Sequence, residues 1–437
     1  MQAVRIVLLA TLGTLAIAAP GSAQQDSAQI RRLTEQVEAI TRELEALKLG
    51  RDVVAEADTS VTGLGPAASK VYRVRQGVSI GGYGEVLYEN FAGEREDGAV
   101  SGKLDRIDAL RAILYVGYKF TDRFLFNSEI EFEHANTEGA GSVAVEFAYL
   151  EYRASPAFGA RAGLLLVPMG FINEQHEPPV YLGARRPLTE TYVIPSTWRE
   201  NGLGAFGGFG DFTWRAYLIN GLDATGVGES GAEGFSASEG IRGGRQGGAK
   251  AAIEDVAGVA RVDWSGLPGL TVGFSGYLGN SGQSATLPSD PSVVVDARTT
   301  VLEGHAEYRG HGFELRVLAA LTDVDDAAEV NEVLGYTDDA SVGSRLSGWY
   351  MQAGYDVLRG LRTEQQLIPY LRYEEVDTQA EVPAGFARNP ANERAAVTFG
   401  AAWRPITQVS VKADYQWLTN EAESGVNQLN VSLGWLF

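Results

Sequence analysis

Arginine is the side chain in this sequence with the most chemistry to offer. Arg111, Arg161, Arg215, Arg261, Arg316, Arg372 and Lys412 lie in segments where polar and apolar residues alternate, and Arg185, Arg186 and Arg199 lie in one long irregular stretch. A guanidinium fork matches two oxygens of a phosphate or carboxylate at once. Weak sites of this kind, spaced along a path, hold an anion and let it move on. The same segments also carry acids: Glu129, Glu131, Glu133, Glu151, Asp263, Glu303, Glu307, Glu314, Glu374 and Asp414. If the two signs pair or face each other, they give a transverse field without strong selectivity. The sequence leaves both outcomes open.

Other chemistry finds little support. The chain has no Cys, which excludes a disulfide framework, a thiolate metal site and a Cys nucleophile. Its four His are His134, His176, His305 and His311. Nucleophilic hydrolysis needs a Ser beside a His with an orienting partner, and nothing marks a nucleophile elbow, so no enzyme activity is expected. His176 sits beside Glu174 and Glu177, but no second His stands at ligand spacing, so neither a metal nor another cofactor is expected. Residues 240–248 (GIRGGRQGG) lack the Lys-Ser/Thr ending and the following helix of a phosphate loop, and read as a flexible external loop. The formal net charge of −20 argues against a nucleic-acid partner.

The arginines must be positioned by strands. The last ten residues, QLNVSLGWLF, put Leu429, Val431, Leu433, Trp435 and Phe437 on one side and Asn430, Ser432 and Gly434 on the other. That is a period of two, on a segment about ten residues long, enough to cross a bilayer when tilted. From residue 77 onward strand-like segments start near Val78, Leu104, Phe124, Val143, Gly159, Asn201, Phe212, Val256, Leu270, Thr300, Gly312, Ser344, Leu367, Arg394, Val409 and Gln428. Sixteen is the even number expected when both ends of a bacterial barrel lie on one side. Connections alternate in length. Short turns such as Gly210-Asp211 alternate with longer stretches near 92–103, 136–142, 168–200, 224–255, 281–298, 323–343, 378–393 and 419–427. Short periplasmic turns in phase with longer external loops are the pattern of an outer-membrane barrel.

Faces follow from the alternation. In 110–120, Leu110, Ala112, Leu114, Val116, Tyr118 and Phe120 should meet lipid, and Arg111, Ile113, Tyr115, Gly117 and Lys119 should face inward. From Val409, Ser410, Lys412, Asp414 and Gln416 should face inward. Phe120, Trp264, Trp349, Trp403, Trp417, Trp435 and Phe437 fit interfacial girdles. The predicted fold is therefore an all-β transmembrane, antiparallel barrel of about sixteen strands over 77–437. So wide a barrel is expected to keep a water channel.

The amino-terminal part differs. Residues 1–23 read as a secretory signal, with Arg5, an apolar run over 6–19 and Gly21-Ser22-Ala23 before a cleavage point at Gln24. In 29–49, Ile30, Leu33, Val37, Ile40, Leu44 and Leu47 step 3, 4, 3, 4, 3, a heptad seam that permits a trimer. A periplasmic coiled coil is predicted over 24–50. Residues 51–76 lose the period, gather Gly, Pro, Ala and Ser, and read as a linker.

One stretch carries a family resemblance. Residues 161–210 run from a strand ending Leu-Leu-Leu-Val through Val167-Pro168-Met169-Gly170-Phe171, and through a long loop, to Arg199-Glu200-Asn201-Gly202-Leu203-Gly204 and a glycine-rich strand. This resembles the phosphate-selective porin O and P family, over about residues 78–437. An aromatic terminal residue such as Phe437, with Trp435 before it, is similar to the assembly signal on the closing strand of such barrels. The resemblance implies a homotrimer in the outer membrane, with loop 168–200 folded inward as a constriction. In its phosphate-selective members, an arginine ladder and a lysine cluster attract the anion. Here the loop has no lysine cluster and the chain is very acidic.

The expected function is passive diffusion of small polar solutes, with anions such as phosphate among them, across the outer-membrane lipid. The alternatives are a general, organic-acid or cation-preferring porin, or a structural barrel anchor with the coil as its periplasmic tether.

Overall fold

The computed structural model describes residues 60–61, 63–136 and 139–437. The signal segment and the heptad seam lie outside the described residues. Sixteen strands follow one another: β1 (Gly77–Phe91), β2 (Arg106–Lys119), β3 (Phe124–Glu133), β4 (Ser142–Ser155), β5 (Phe158–Leu166), β6 (Arg199–Phe209), β7 (Phe212–Asn220) and β8 (Val256–Leu267). Then come β9 (Leu270–Gly279), β10 (Thr299–Gly310), β11 (Phe313–Val324), β12 (Arg345–Tyr355), β13 (Gln366–Glu381), β14 (Glu393–Ile406), β15 (Val409–Asn420) and β16 (Gln428–Leu436). Each starts within two residues of its expected position. Every strand pairs antiparallel with its chain neighbours, and β1 pairs with β16 to close the barrel. Closure leaves no strand edge unpaired, which a bilayer demands.

Alternation places the side chains as the sequence dictates. On β16, Leu429, Val431, Leu433 and Trp435 are exposed on the outer face, and Gln428, Asn430, Ser432 and Leu436 are buried inside. Exposed Phe120, Phe124, Phe158, Phe209, Phe212, Phe313, Tyr355, Trp403 and Phe437 ring the end that carries the short turns. Trp417, Phe132 and Tyr88 are exposed toward the other end. Leu110 departs from expectation. A bulge between Glu85 and Leu87 shifts the β1–β2 register, and Leu110 borders the inner cavity instead of lipid. No helix among the described residues is long and apolar enough to cross a membrane.

The core of this barrel is its lumen. The loop between β5 and β6, residues 167–198, turns inward. Val167, Met169, Ile172, Val193, Ile194 and Trp198 are each no more than 1% exposed, and they pack with inward wall residues such as Phe147, Tyr277, Leu346 and Tyr350. Asn173 ties the two ends of the loop together. Its amide donates to Val167 O (2.7 Å) and Trp198 O (2.8 Å), and its carbonyl accepts from Trp198 N (2.7 Å). The stretch read as a linker is also largely inside from Gly63 to Tyr72, and Arg73, Arg75 and Gln76 beyond it are exposed. Leu64, Ala67, Ala68, Val71 and Val74 are buried, with a short 3-10 turn at Ala68–Tyr72. Ordinary hydrophobic burial therefore fills much of a space that β-strand geometry alone would leave wet.

Candidate functional site

The inward loop crosses the lumen and is gripped by the wall. Its main chain meets carboxylates and cations that strands present. Ala184 N donates to Asp414 of β15 (2.6 Å), and Leu188 N donates to Glu374 of β13 (2.6 Å). Lys412 Nζ donates to Gly183 O (2.8 Å) and lies over the Tyr181 ring. Glu190, within the loop, accepts from Phe171 N (2.7 Å), Ile172 N (2.6 Å) and Tyr350 OH of β12 (2.6 Å). His176 Nε2 is 3.0 Å from Glu129 of β3. Burial opposes a charged His176, but the neighbouring Glu129 carboxylate outweighs it and raises the imidazole pKa. These contacts bear out loop 168–200 as an element folded into the barrel.

The ten predicted cations divide by environment. Six are buried and bound to acids or to the loop. Arg161 meets Glu151 (2.8 Å) and stacks on Phe206. Arg215 meets Glu174 and Asp263 (2.6 Å each). Arg261 meets Asp263 (2.9 Å) and Gly170 O. Arg316 meets Glu307 (2.5 Å) and lies over Phe171. Arg372 meets Glu374 (3.0 Å) and Arg185 O. Lys412 holds Gly183, as described. These side chains do face inward, but all are paired within the protein, five of them against the loop or its partners and Arg161 against the wall, and they do not form a free ladder. Burying a charge without a partner costs several kcal/mol, on the order of 3–5 when one member of a pair is removed, so pairing is what the interior requires.

Arg111, Arg185, Arg186 and Arg199 stand nearer the long-loop mouth. Arg199 is paired with Glu146 (2.7 Å), and Arg185 with Glu89 (2.8 Å). Arg111 lies 3.5 Å from Glu85. Arg186 has no carboxylate within salt-bridge distance among the described residues, and its Nε and Nη2 have no hydrogen-bond partner. A cavity of about 430 Å³ opens here. Lys103, Arg111, Arg185, Arg186, Arg242 and Arg394 line it, and Glu85 is the one carboxylate among the lining residues. Crowding is visible in the loop cations. Burial, then the nearby Arg186, hold Arg242 below the usual arginine range, and burial, then Arg242 and Arg199, bring Arg245 down to about 9.

Lys103, Arg242 and Arg394 escape sequence reasoning. They come from three connections or strand ends far apart in the chain, and nothing local marks convergence. The glycine-rich 240–248 segment is the nearest thing to a signal, since so many glycines beside two arginines permit a tight fold over a mouth. It is not an external loop free of the barrel. Arg242 donates to Ser196 Oγ (3.1 Å), and Arg245 donates to Ser196 O (2.6 Å).

With the geometry in view, comparison with known proteins locates the chain. No family model matches it. An uncharacterized protein of Aquifex aeolicus (strain VF5) is 38% identical over 393 residues, covering 88% of this chain and 86% of its own length. The chain belongs to the family of that protein. Among solved structures, OmpF of Salmonella typhi in complex with daunomycin aligns with a TM-score of 0.54 at 13% identity, over 83% of this chain and 98% of that one. The outer membrane channel DcaP of Acinetobacter baumannii aligns with a TM-score of 0.52 at 13% identity, over 82% and 97%. A loop-deletion variant of OmpT, an outer membrane protein of Vibrio cholerae, aligns with a TM-score of 0.51 at 12% identity, over 83% and 100%. Likeness at such low identity is a likeness of fold: the chain shares the barrel architecture of these outer-membrane proteins.

Proposed function

We propose that this protein is an outer-membrane channel for passive diffusion of small polar solutes, with a preference for anions set in the long-loop vestibule. The observation that carries this reading is the vestibule lining: six cations converge on one cavity beside a single carboxylate, in a chain whose overall charge is −20. A mouth of one sign, walled by low-dielectric protein, concentrates ions of the other sign. Phosphate and organic carboxylates both suit guanidinium forks. The long-loop mouth faces outward in this reading, and the short turns and both termini lie on the periplasmic side.

The test is the reversal potential of the protein in a planar bilayer across a salt gradient, followed by phosphate titrated against the chloride current. Anion selectivity is the expected result, with phosphate reducing the chloride current if the vestibule holds it. Cation selectivity would sink the reading. A second reading, a general diffusion channel, is favoured by the pairing of wall arginines with acids, which neutralises the deeper lumen. Selectivity near unity without phosphate block would favour it.

We also read the assembly as a homotrimer. Across β5–β9 the outer face carries a row of small residues in register, Ala160, Ala205, Ala216, Ala260 and Gly276. Small residues let membrane-embedded surfaces approach closely. Removing residues 24–50 is expected to leave conductance intact and to lower the temperature at which trimers dissociate in detergent gels.

A further inference from the structure

Two cavities lie at opposite ends of the lumen and share no lining residue. The long-loop vestibule is one, and a cavity of about 540 Å³ near the short turns, lined in part by Gly63, Arg153, Phe206 and Arg215, is the other. What separates them is the inward loop together with residues 63–76. We propose that residues 63–76 form a retractable gate at the short-turn mouth, and that solutes pass only when this segment leaves its seat. The proposal rests on the channel reading above and adds a regulated step to it.

Four observations support it. First, the segment reaches across the mouth. Val71 packs against Gly117 of β2, Tyr72 OH donates to Glu151 of β4 (2.9 Å), and Gly63 lies against Arg215 of β7. Asn127 of β3 donates to Ala68 O (3.0 Å). Second, the wall residues it covers are dry: Asn127 and Tyr149 are each no more than 3% exposed. Third, among the described residues its main chain forms no ladder with the sheet, and the strands hold it through side chains. The backbone hydrogen bonds it makes with main-chain partners are internal turns, such as Ser69 N to Gly65 O and Arg73 N to Lys70 O. Undocking therefore breaks no strand ladder. Fourth, the segment joins β1 at Gly77, whose φ of 98° is a left-handed conformation that glycine adopts without strain and that suits a hinge.

The seat belongs to the inward loop. Glu177 accepts hydrogen bonds from Ala67 N (3.1 Å) and Ala68 N (2.9 Å). The same loop presents Arg186 to the vestibule only nine positions later. A shift of the loop on anion binding would be felt at the gate.

The test uses the full chain, which contains no native cysteine. A Cβ added at Gly117 would lie 2.7 Å from Val71 Cβ, closer than the roughly 3.8 Å of a disulfide, so Val71→Cys with Gly117→Cys can form the bond once the segment moves outward by about 1 Å. In planar bilayers the oxidised double variant is expected to conduct at least fivefold less than after addition of dithiothreitol, with either single variant indifferent to the reductant. Equal conductance in both states, with the disulfide verified by thiol labelling, would overturn the gate. Gly65→Leu supplies an independent check, because a side chain there runs into the Glu177 carboxylate and prevents docking. It is expected to conduct constitutively above the unaltered protein. If folded Gly65→Leu protein conducts the same as the unaltered chain, the gate falls and the channel stands. If it is folded and silent, the channel reading itself falls.

Discussion

Arg186 at the long-loop mouth meets no carboxylate among the described residues, while Arg215 toward the short-turn mouth meets two at 2.6 Å. Both are arginines facing the inside of the same barrel. Arg215 is 6% exposed and must be neutralised by the protein itself, so its charge is consumed in holding Glu174 of the inward loop against β7 and β8. Arg186 lines an open cavity, and its buried Nε and Nη2 have no partner in the protein. An inward arginine in a barrel acts on solutes only where the lumen stays open beside it. Where a loop fills the lumen, the same residue becomes part of the packing.

Arg215→Met should be the most damaging change. It leaves Glu174 and the Asp263 cluster short of a cation, and about 3–5 kcal/mol of barrel stability should be lost, read as a lower denaturant midpoint for the folded form. Its effect on ion selectivity should be small. If selectivity moved more than stability, the division between clamp and vestibule would be wrong. Glu190→Ala strips the acceptor from Phe171 N, Ile172 N and Tyr350 OH. A loss of about 1–3 kcal/mol is expected for buried donors left unpaired, with faster protease cleavage inside 167–198.

The gate adds a pH dependence whose sign is fixed. Burial lifts Glu177 to about 7, against the opposing effect of hydrogen bonds from Ala68 and Ala67, while its ordinary value is 4.5. A group whose pKa is raised in the docked state favours docking below the ordinary value and loses that contribution as pH rises through about 7. Glu129 and Tyr115 are the other titratable groups facing Glu177 from the wall. Conductance should therefore rise roughly tenfold between about pH 5 and pH 8, and Glu177→Gln should flatten the profile. A falling profile would contradict the assignment. Arg186→Met should change stability by less than about 1 kcal/mol. The anion-to-cation permeability ratio should drop by roughly threefold, and by about tenfold when Arg242→Met is added.

The vestibule and the clamps were unequally legible beforehand. Which residues turn inward could be read strand by strand. Arg111, Arg161, Arg215, Arg261, Arg316, Arg372 and Lys412 all stand on the inner face, because a period of two is a property of the backbone alone. The entry of 167–198 into the lumen was expected from a resemblance. The seat of 63–76 was not expected, because a Gly- and Ala-rich stretch without period gives no sign of what will cover it. The convergence of Lys103, Arg242 and Arg394 was equally hidden.

Strand number and, Leu110 apart, the inner and outer faces were determined by the sequence itself, through alternation and turn length, which act over a few residues. Whether a given inward arginine is free or bound was decided only by the tertiary structure. That outcome depends on which distant loop fills the space in front of it. Arg186 and Glu174 share one loop, twelve residues apart, yet Arg186 faces an open cavity and Glu174 is locked to Arg215. Electrostatic neutralisation in a low-dielectric interior is settled by partners across space, and no local pattern in the chain records them.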